Sequence, residues 1–122
     1  MCAAPRADTV RERATSSEPA GATATVASVY VLAVEIELHI PNAHSLKDKR
    51  QVVKSLVEGA RRRLGVTAAE TGRQDSWQRS TLGFAVVTSS AHQAESVIDD
   101  VERFVWGHGE AEVLSTERSW LE

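Results

Sequence analysis

The most constraining feature of the sequence is a run in which apolar and polar residues alternate regularly. In the second part of residues 29–40, every second position carries a branched apolar side chain: Leu32, Val34, Ile36, Leu38 and Ile40. The positions between them include Glu35, Glu37 and His39. Alternation with a period of two is typical of a β-strand that has one face in a core and one polar face. A sheet built on this strand therefore needs helices over one face only.

The rest of the chain predicts five further elements. In chain order these are a helix over residues 45–64, strands over 66–71 and 80–88, a helix from residue 90 that ends before Gly107, and a strand over 110–118. The order β-α-β-β-α-β is the split β-α-β pattern of the ferredoxin-like fold. We therefore expect an α+β sandwich in which a four-stranded antiparallel sheet carries two helices on one face, with the first and third strands in the centre. Ser45 and Ser90 are suited to cap the helix starts, and Gly65 is suited to end the first helix.

Residues 1–28 differ from the rest in composition. They are rich in Ala, Thr and Ser, and only Val10 and Val26 supply branched apolar bulk. This is too little to offset the entropy of ordering the segment, so we predict a disordered tail before a single domain of residues 29–122. The abrupt change at Val29 leaves an alternative open, in which native translation starts there and the tail is a gene-annotation artefact.

Length, charge and cysteine usage exclude several classes of protein. The 122 residues suffice for one domain, and a formal net charge of −3 gives no global attraction to nucleic acid or membrane, so any such attraction needs a local patch. The single cysteine, Cys2, has no partner for a disulfide. No apolar run is long enough for a transmembrane helix. These features predict a cytoplasmic protein.

No catalytic or cofactor signature is present. The sequence contains no phosphate-binding glycine loop, no nucleophile elbow and no metalloprotease motif. Glu37 and His39 share one strand face with His44 nearby, but no zinc-ligand spacing accompanies them. We expect a non-enzymatic protein without metal or cofactor.

The first helix is strongly basic and the second is acidic. The cations of the first helix are Lys47, Lys49, Arg50, Lys54, Arg61, Arg62 and Arg63. The second helix carries the acids Glu95, Asp99, Asp100 and Glu102. The basic half can follow phosphates although the whole chain is acidic. The same pattern also fits a solvated helix face whose C-terminal arginines complement the helix dipole.

The segment from Gln74 to Arg79 places an indole in a polar loop. Trp77 can present a surface for base stacking, and Gln78 and Arg79 beside it can donate hydrogen bonds to bases or phosphates. The alternative is a hairpin that Trp77 anchors by burial, with Asp75 orienting Arg79.

Two motifs resemble those of the YlxP-like family, a bacterial family of unknown function. They are the segment from His39 to Arg50, which contains S-L-K-D-K-R, and the segment Q-D-S-W-Q-R from Gln74 to Arg79. The matching residues are His44, Ser45, Leu46, Lys47, Lys49, Arg50, Asp75, Trp77 and Gln78. The resemblance spans nearly all of residues 29–122 and implies a ferredoxin-like fold. Genes of the family commonly neighbour those for a translation initiation factor and a ribosome-binding factor, which implies a role in translation or ribosome assembly.

Two functional hypotheses follow. In the first, the protein is an accessory factor that binds ribosomal RNA or a ribosomal subunit through the basic helix and the Trp77 loop. In the second, it is an adaptor or homodimer that uses the open sheet face. That face carries Ala33, Glu35, Glu37, Gly83, Ala85 and Val87, without an aromatic residue for base stacking. Trp120 and Leu121 are alternative covers for the same face.

Overall fold

The computed structural model describes residues 28–121. Its elements are β1 (Tyr30–His39), α1 (Leu46–Leu64), β2 (Thr67–Gly72), β3 (Arg79–Thr88), α2 (Ala91–Trp106) and β4 (Glu112–Leu121). The predicted α+β class and the ferredoxin-like order of elements are confirmed. The predicted tail lies outside the described residues, apart from its last residue.

The four strands form one antiparallel sheet in the order β2-β3-β1-β4. The two central strands are β1 and β3, as their apolar content predicts. They pair along their whole length, from Tyr30 opposite Thr88 to His39 opposite Arg79. Both helices pack on one face of this sheet, and the opposite face carries no helix in the described part of the chain.

The core lies between the sheet and the two helices. Its fully buried side chains include Leu32, Ile36, Leu38 and Ile40 from β1 and its end, Leu56 from α1, Leu82 and Phe84 from β3, and Ile98 and Val101 from α2. The alternation in β1 therefore assigned the inward positions correctly. Burial of this continuous apolar layer is the main force that holds the helices on the sheet.

Helix α1 starts and ends at its predicted capping residues. The Ser45 hydroxyl accepts a hydrogen bond from the amide of Asp48 at 3.1 Å, and the Asp48 carboxylate accepts one from the amide of His44 at 3.0 Å. The reciprocal bond thus goes one residue further back than in a capping box. At the other end, Gly65 has φ 68°, the left-handed conformation that glycine adopts most easily, and its amide donates to Arg61 O at 3.2 Å.

The fourth strand begins and ends later than predicted. A turn precedes it, in which the amide of Ala111 donates to His108 O at 3.3 Å. At its other end, β4 continues to pair with β1 as far as Leu121, opposite Val31. Trp120 lies opposite the buried Leu32 and packs edge-on against the Tyr30 ring at 6.3 Å, so it lies on the helix side of the sheet and the predicted cover of the open face by Trp120 is wrong.

Candidate nucleic-acid interface

Lys49 connects the two sequence motifs inside the protein. Its side chain is 0% exposed, and its ammonium group donates hydrogen bonds to the main-chain oxygens of Arg73 (2.8 Å), Gln74 (3.2 Å) and Arg79 (3.3 Å). A carboxylate oxygen of Glu70 lies 2.9 Å from the same nitrogen. The predicted contact between Lys49 and a phosphate is therefore wrong, because no surface of this side chain is open to a ligand.

Gln78 fastens the same loop to the start of α1. Its side-chain amide donates to Pro41 O at 3.1 Å and to Ala43 O at 3.0 Å, and its main-chain oxygen accepts from the amide of Ile40 at 2.8 Å. The donors that were predicted to reach a base or phosphate are therefore used within the protein. Gln78 joins the β2–β3 loop to the β1–α1 turn.

Trp77 takes no part in the hydrogen bonds by which Lys49 and Gln78 fix the loop, which we call the clamp. Its side chain is 56% exposed, although its neighbour Gln78 is half-buried. The alternative in which Trp77 anchors the hairpin by burial is therefore wrong, because Lys49 and Gln78 anchor it instead. An exposed indole on a fixed loop has a face that a base can stack on.

Arg79 pairs with Glu37 and not with Asp75, which is exposed. The guanidinium lies 3.6 Å from the Glu37 carboxylate, which Arg73 also approaches to 3.3 Å. The Thr81 hydroxyl donates a hydrogen bond of 2.7 Å to this carboxylate. That bond is the largest cause of a lowered pKa at Glu37, and the two arginines lower the pKa further against the opposing effect of burial. The predicted phosphate contact of Arg79 would have to compete with Glu37.

The other cations in the first three turns of α1 are exposed. Lys47, Arg50 and Lys54 follow one another at spacings of three and four residues, which places them on one side of the helix. Arg61 continues this side two turns later, at about 20 Å from Lys47 for a rise of 1.5 Å per residue. We call these four residues the basic helix face. Half-buried Glu58 lies in the gap between Lys54 and Arg61.

The arginines at the end of α1 have different surroundings. Arg61 donates a hydrogen bond of 2.7 Å to Ala68 O at the start of β2. The Arg63 guanidinium lies 5.6 Å from the centre of the Phe104 ring on α2. Arg62 is exposed and forms no salt bridge with any residue in the range 28–121. The predicted cluster is thus divided between strand β2 and the interface of the two helices.

The acids of α2 are partly neutralised. Arg118 on β4 donates to Glu102 at 3.1 Å and to Asp99 at 2.7 Å, and these carboxylates, Glu102 first, raise the pKa of Arg118. Arg103 pairs with Asp100 on the same helix. The predicted charge contrast between the helices is therefore carried mainly by the free cations of α1.

The histidine pair considered for a metal has other contacts. His39 Nδ1 lies 3.0 Å from a Glu112 carboxylate oxygen across the β1–β4 pairing, and Glu37 is engaged by arginines. Within residues 28–121, no group of three or more His, Cys, Asp or Glu side chains is placed to hold a metal ion. None of the helices in this range is long and apolar enough to span a membrane.

The comparison with known proteins covers most of this structure. Residues 31–118, from β1 into β4, match the family model described as "Protein of unknown function (DUF503)". The chain belongs to the DUF503 family. The protein named "Uncharacterized protein YlxP" of Bacillus subtilis (strain 168) is 37% identical over 87 residues, which covers 71% of this chain and 95% of that relative. The predicted resemblance to YlxP-like proteins is thereby confirmed.

In this DUF503 protein the two motifs divide into an internal and an exposed set. In the internal set, Lys49 and Gln78 hold the loop against the start of α1. Ser45 and Asp48 cap that helix. The exposed set comprises His44, Lys47, Arg50, Asp75 and Trp77, and Leu46 is half-buried at the helix start. Two further residues of this region were not predicted from the sequence: Glu70, which faces Lys49, and Arg73, which faces Glu37. The burial of Lys49 could have been predicted, because Lys49 follows Leu46 by three positions and precedes Val53 by four. This spacing places it on the apolar side of α1.

Proposed function

We propose that this protein is a non-enzymatic, cytoplasmic accessory factor that binds RNA of the ribosome or of its precursors, in translation or ribosome assembly. The observation that carries the proposal is the fixed, exposed Trp77 on a loop that Lys49 and Gln78 tie to the start of the basic helix face. A stacking surface and a row of cations thus belong to one rigid unit.

The two parts of this surface supply different kinds of binding energy. Lys47, Arg50 and Lys54 are exposed and unpaired within residues 28–121, so they can replace counterions along a phosphate backbone. Trp77 can stack on an unpaired base, which contributes about 1–3 kcal/mol per base in proteins that bind single strands. Single-stranded loops of a folded RNA offer both an open base face and adjacent phosphates.

The rigidity of the Trp77 loop favours RNA binding over the alternative in which the loop is only a solvent-exposed surface. An exposed Trp loses little conformational entropy on binding when its loop is already fixed. The clamp fixes this loop through a buried ammonium group and a half-buried amide, which hydrogen-bond main-chain oxygens on both sides of Trp77 and in the β1–α1 turn. The arrangement holds the indole outward and buries the charge of Lys49. Packing of the loop by apolar side chains would not require a buried charge.

The test measures how tightly wild type and three variants of the full chain bind purified ribosomal subunits. Lys47→Gln/Arg50→Gln should weaken binding and reduce the slope of log affinity against log salt by about one for each lost phosphate contact. Trp77→Ala should weaken binding through lost stacking and leave the salt slope unchanged. His92→Glu/Gln93→Glu is the matched control, because it gives the same change in net charge at two exposed positions of α2. Equal affinities and slopes for the first variant and the control would overturn the proposal.

A homodimer through the open sheet face is the second candidate. One row across three strands of this face is apolar, since Val31 lies opposite both Val87, 68% exposed, and Leu121, 48% exposed. The next rows are less suitable, because Glu35 lies directly opposite Glu117 and a symmetric contact would bring these carboxylates together. Sedimentation equilibrium of wild type and Val87→Glu tests it: a monomer at every concentration would exclude the dimer, and a dimer that Val87→Glu dissociates would support it.

A further inference from the structure

A cleft of about 420 Å³ lies between α1 and α2, and no residue of the Trp77 loop is among those that line it. Its lining consists of Ser55, Gly59, Arg62 and Arg63 from α1 and of Arg103, Phe104, Gly107 and His108 from α2 and its end. Among residues 28–121, no carboxylate lines it. Its volume is within the range of pockets that bind small ligands.

Two glycines border this cleft. A Cβ atom at Gly59 would lie 2.6 Å from the tip of the Phe104 ring, so the ring packs directly on the backbone of α1. Gly107 closes α2 without a side chain, and its amide donates to Arg103 O at 3.0 Å. The two helices therefore approach each other closely at Gly59 and Phe104, and the cleft lies beside this contact.

The cations of the cleft exceed what the helix ends require. Each helix C-terminus carries about half a negative charge, so the ends of α1 and α2 together offset about one cation. Arg103 is paired with Asp100, whereas Arg62 and Arg63 have no salt bridge within residues 28–121. Of these two guanidinium groups, about one is left without a compensating negative charge.

The available donors match a tetrahedral oxyanion. Arg63 is held over the Phe104 ring at 5.6 Å, which leaves the N–H groups on its edge free for a ligand. Across the cleft, Ser55 Oγ on α1 and His108 Nε2 after α2 lie 3.5 Å apart and supply a hydroxyl and an imidazole. Guanidinium groups bind phosphate oxygens in pairs, with hydrogen bonds about twice as strong as those between neutral groups.

We propose that this interhelical cleft binds a phosphoryl group, either the terminal phosphate of a nucleic acid or that of a free nucleotide. The inference goes beyond the proposed function, because the cleft can hold a phosphate monoester whether or not RNA lies along the basic helix face. A terminal monoester fits a cleft walled by two helices, whereas the diester phosphates of a continuing strand fit the open side of α1. Arg62 and Arg63 carry the charge, and Ser55 and His108 orient the oxygens.

The first test is a titration of the full chain with inorganic phosphate, followed by ¹H–¹⁵N NMR. The amide signals of Gly59, Gly107 and His108 should shift and saturate at millimolar phosphate, while those of the Trp77 loop should not move. Chloride at equal ionic strength is the control. Identical shifts with chloride, or none up to tens of millimolar phosphate, would overturn the inference.

Variants and ligand pairs then identify the residues and the source of the phosphate. Arg62→Gln/Arg63→Gln should reduce phosphate affinity at least about tenfold, the effect of one charge-assisted contact, and Arg62→Gln alone serves if the double variant disturbs the spectrum. His92→Glu/Gln93→Glu gives the same change in net charge at two exposed positions outside the cleft, so it is the matched control and should bind phosphate as wild type does. Tighter binding of a 5′-phosphorylated oligonucleotide than of both its 5′-hydroxyl form and AMP indicates a nucleic-acid end. Binding of AMP as tight as that of the phosphorylated oligonucleotide indicates a free nucleotide.

The phosphate titration and the ribosome-binding assay can fail independently of each other. Phosphate binding at the cleft without any ribosomal association would leave this inference standing and remove the proposed function. Full phosphate affinity in Arg62→Gln/Arg63→Gln would contradict the inference, whatever the ribosome assay gives.

Discussion

The ammonium nitrogen of Lys49 lies 2.9 Å from a carboxylate oxygen of Glu70, and the two side chains are 0% and 16% exposed. The same carboxylate oxygen accepts a hydrogen bond of 2.7 Å from the Ser80 hydroxyl. This contact joins α1 to β2 and β3 and closes the loop that carries Trp77. Breaking such a buried pair from one side leaves an uncompensated charge, which costs more than the pair contributes by forming.

Lys49→Met should therefore destabilise the protein strongly. The substitution leaves Glu70 without its cation and three main-chain oxygens without a donor, so we expect a loss of about 3–5 kcal/mol in the free energy of unfolding. Lys54→Met removes an exposed lysine from the same helix and should change it by no more than about 0.5 kcal/mol. Urea denaturation measures both. Similar stabilities for the two variants would mean that Lys49 does not hold the loop.

The turn after α1 gives a test of backbone conformation alone. Gly65 has φ 68° and Gly109 has no positive φ, yet a Cβ atom at either position would meet no atom within 4 Å. Gly65→Ala should lower the free energy of unfolding by about 1–2 kcal/mol, because an L-residue is strained in the left-handed region. Gly109→Ala should be neutral or stabilising by up to about 1 kcal/mol through the unfolded state. A Gly65→Ala protein as stable as Gly109→Ala would contradict the left-handed cap.

Stability should depend on pH through Glu37. Its pKa in the folded protein is lowered, first by the hydrogen bond from Thr81, so the ionised form stabilises the fold. This contribution is complete above the pKa of the unfolded chain and is lost as the pH falls through the lower, folded value. The difference in unfolding free energy between wild type and Glu37→Gln should therefore be constant near neutral pH and shrink below about pH 4.

A control on the same strand face corrects for the loss of one charge. Glu35→Gln removes an exposed carboxylate that takes part in no salt bridge within residues 28–121. Denaturation of the three proteins between about pH 3 and pH 7 gives the comparison. A Glu37→Gln difference that grows toward acid pH would reverse the assigned sign.

Gln78 and Trp77 are adjacent in the sequence but should behave differently when truncated. Gln78→Ala leaves Pro41 O and Ala43 O without their donor, and we expect a loss of about 1–3 kcal/mol in unfolding free energy. Trp77→Ala removes an exposed ring and should change stability by no more than about 0.5 kcal/mol. Thermal unfolding of both variants is sufficient. A larger loss for Trp77→Ala would place the indole in the packing of the loop.

The strands and helices were predictable because their signals are local. The alternation from Leu32 to Ile40 determines one face of β1, and Ser45 and Gly65 bound α1 through side-chain and backbone chemistry that needs no distant partner. The end of β4 was not predictable in this way, because its last residues are polar or exposed and pair only because β1 extends as far as Tyr30. Strand length at a sheet edge depends on the neighbouring strand.

The candidate site was predictable only in part. Lysine is rarely buried, so its residue type predicts that Lys49 is exposed. Its partners Arg73 O and Gln74 O are main-chain atoms, which no residue pattern marks. The hairpin alternative pairs Arg79 with the nearby Asp75, whereas its partner Glu37 comes from a different strand. Contacts between residues distant in sequence decided which motif side chains remain free.

Ribosome binding by this protein can be measured by co-sedimentation with ribosomal subunits in cell lysate across a salt series. We predict that the full chain associates with one subunit or its precursor at low salt and is released steeply as salt rises, because exposed cations of α1 replace counterions on RNA. Absence from every ribosomal fraction at low salt would contradict it and leave the basic helix face as a solvated surface.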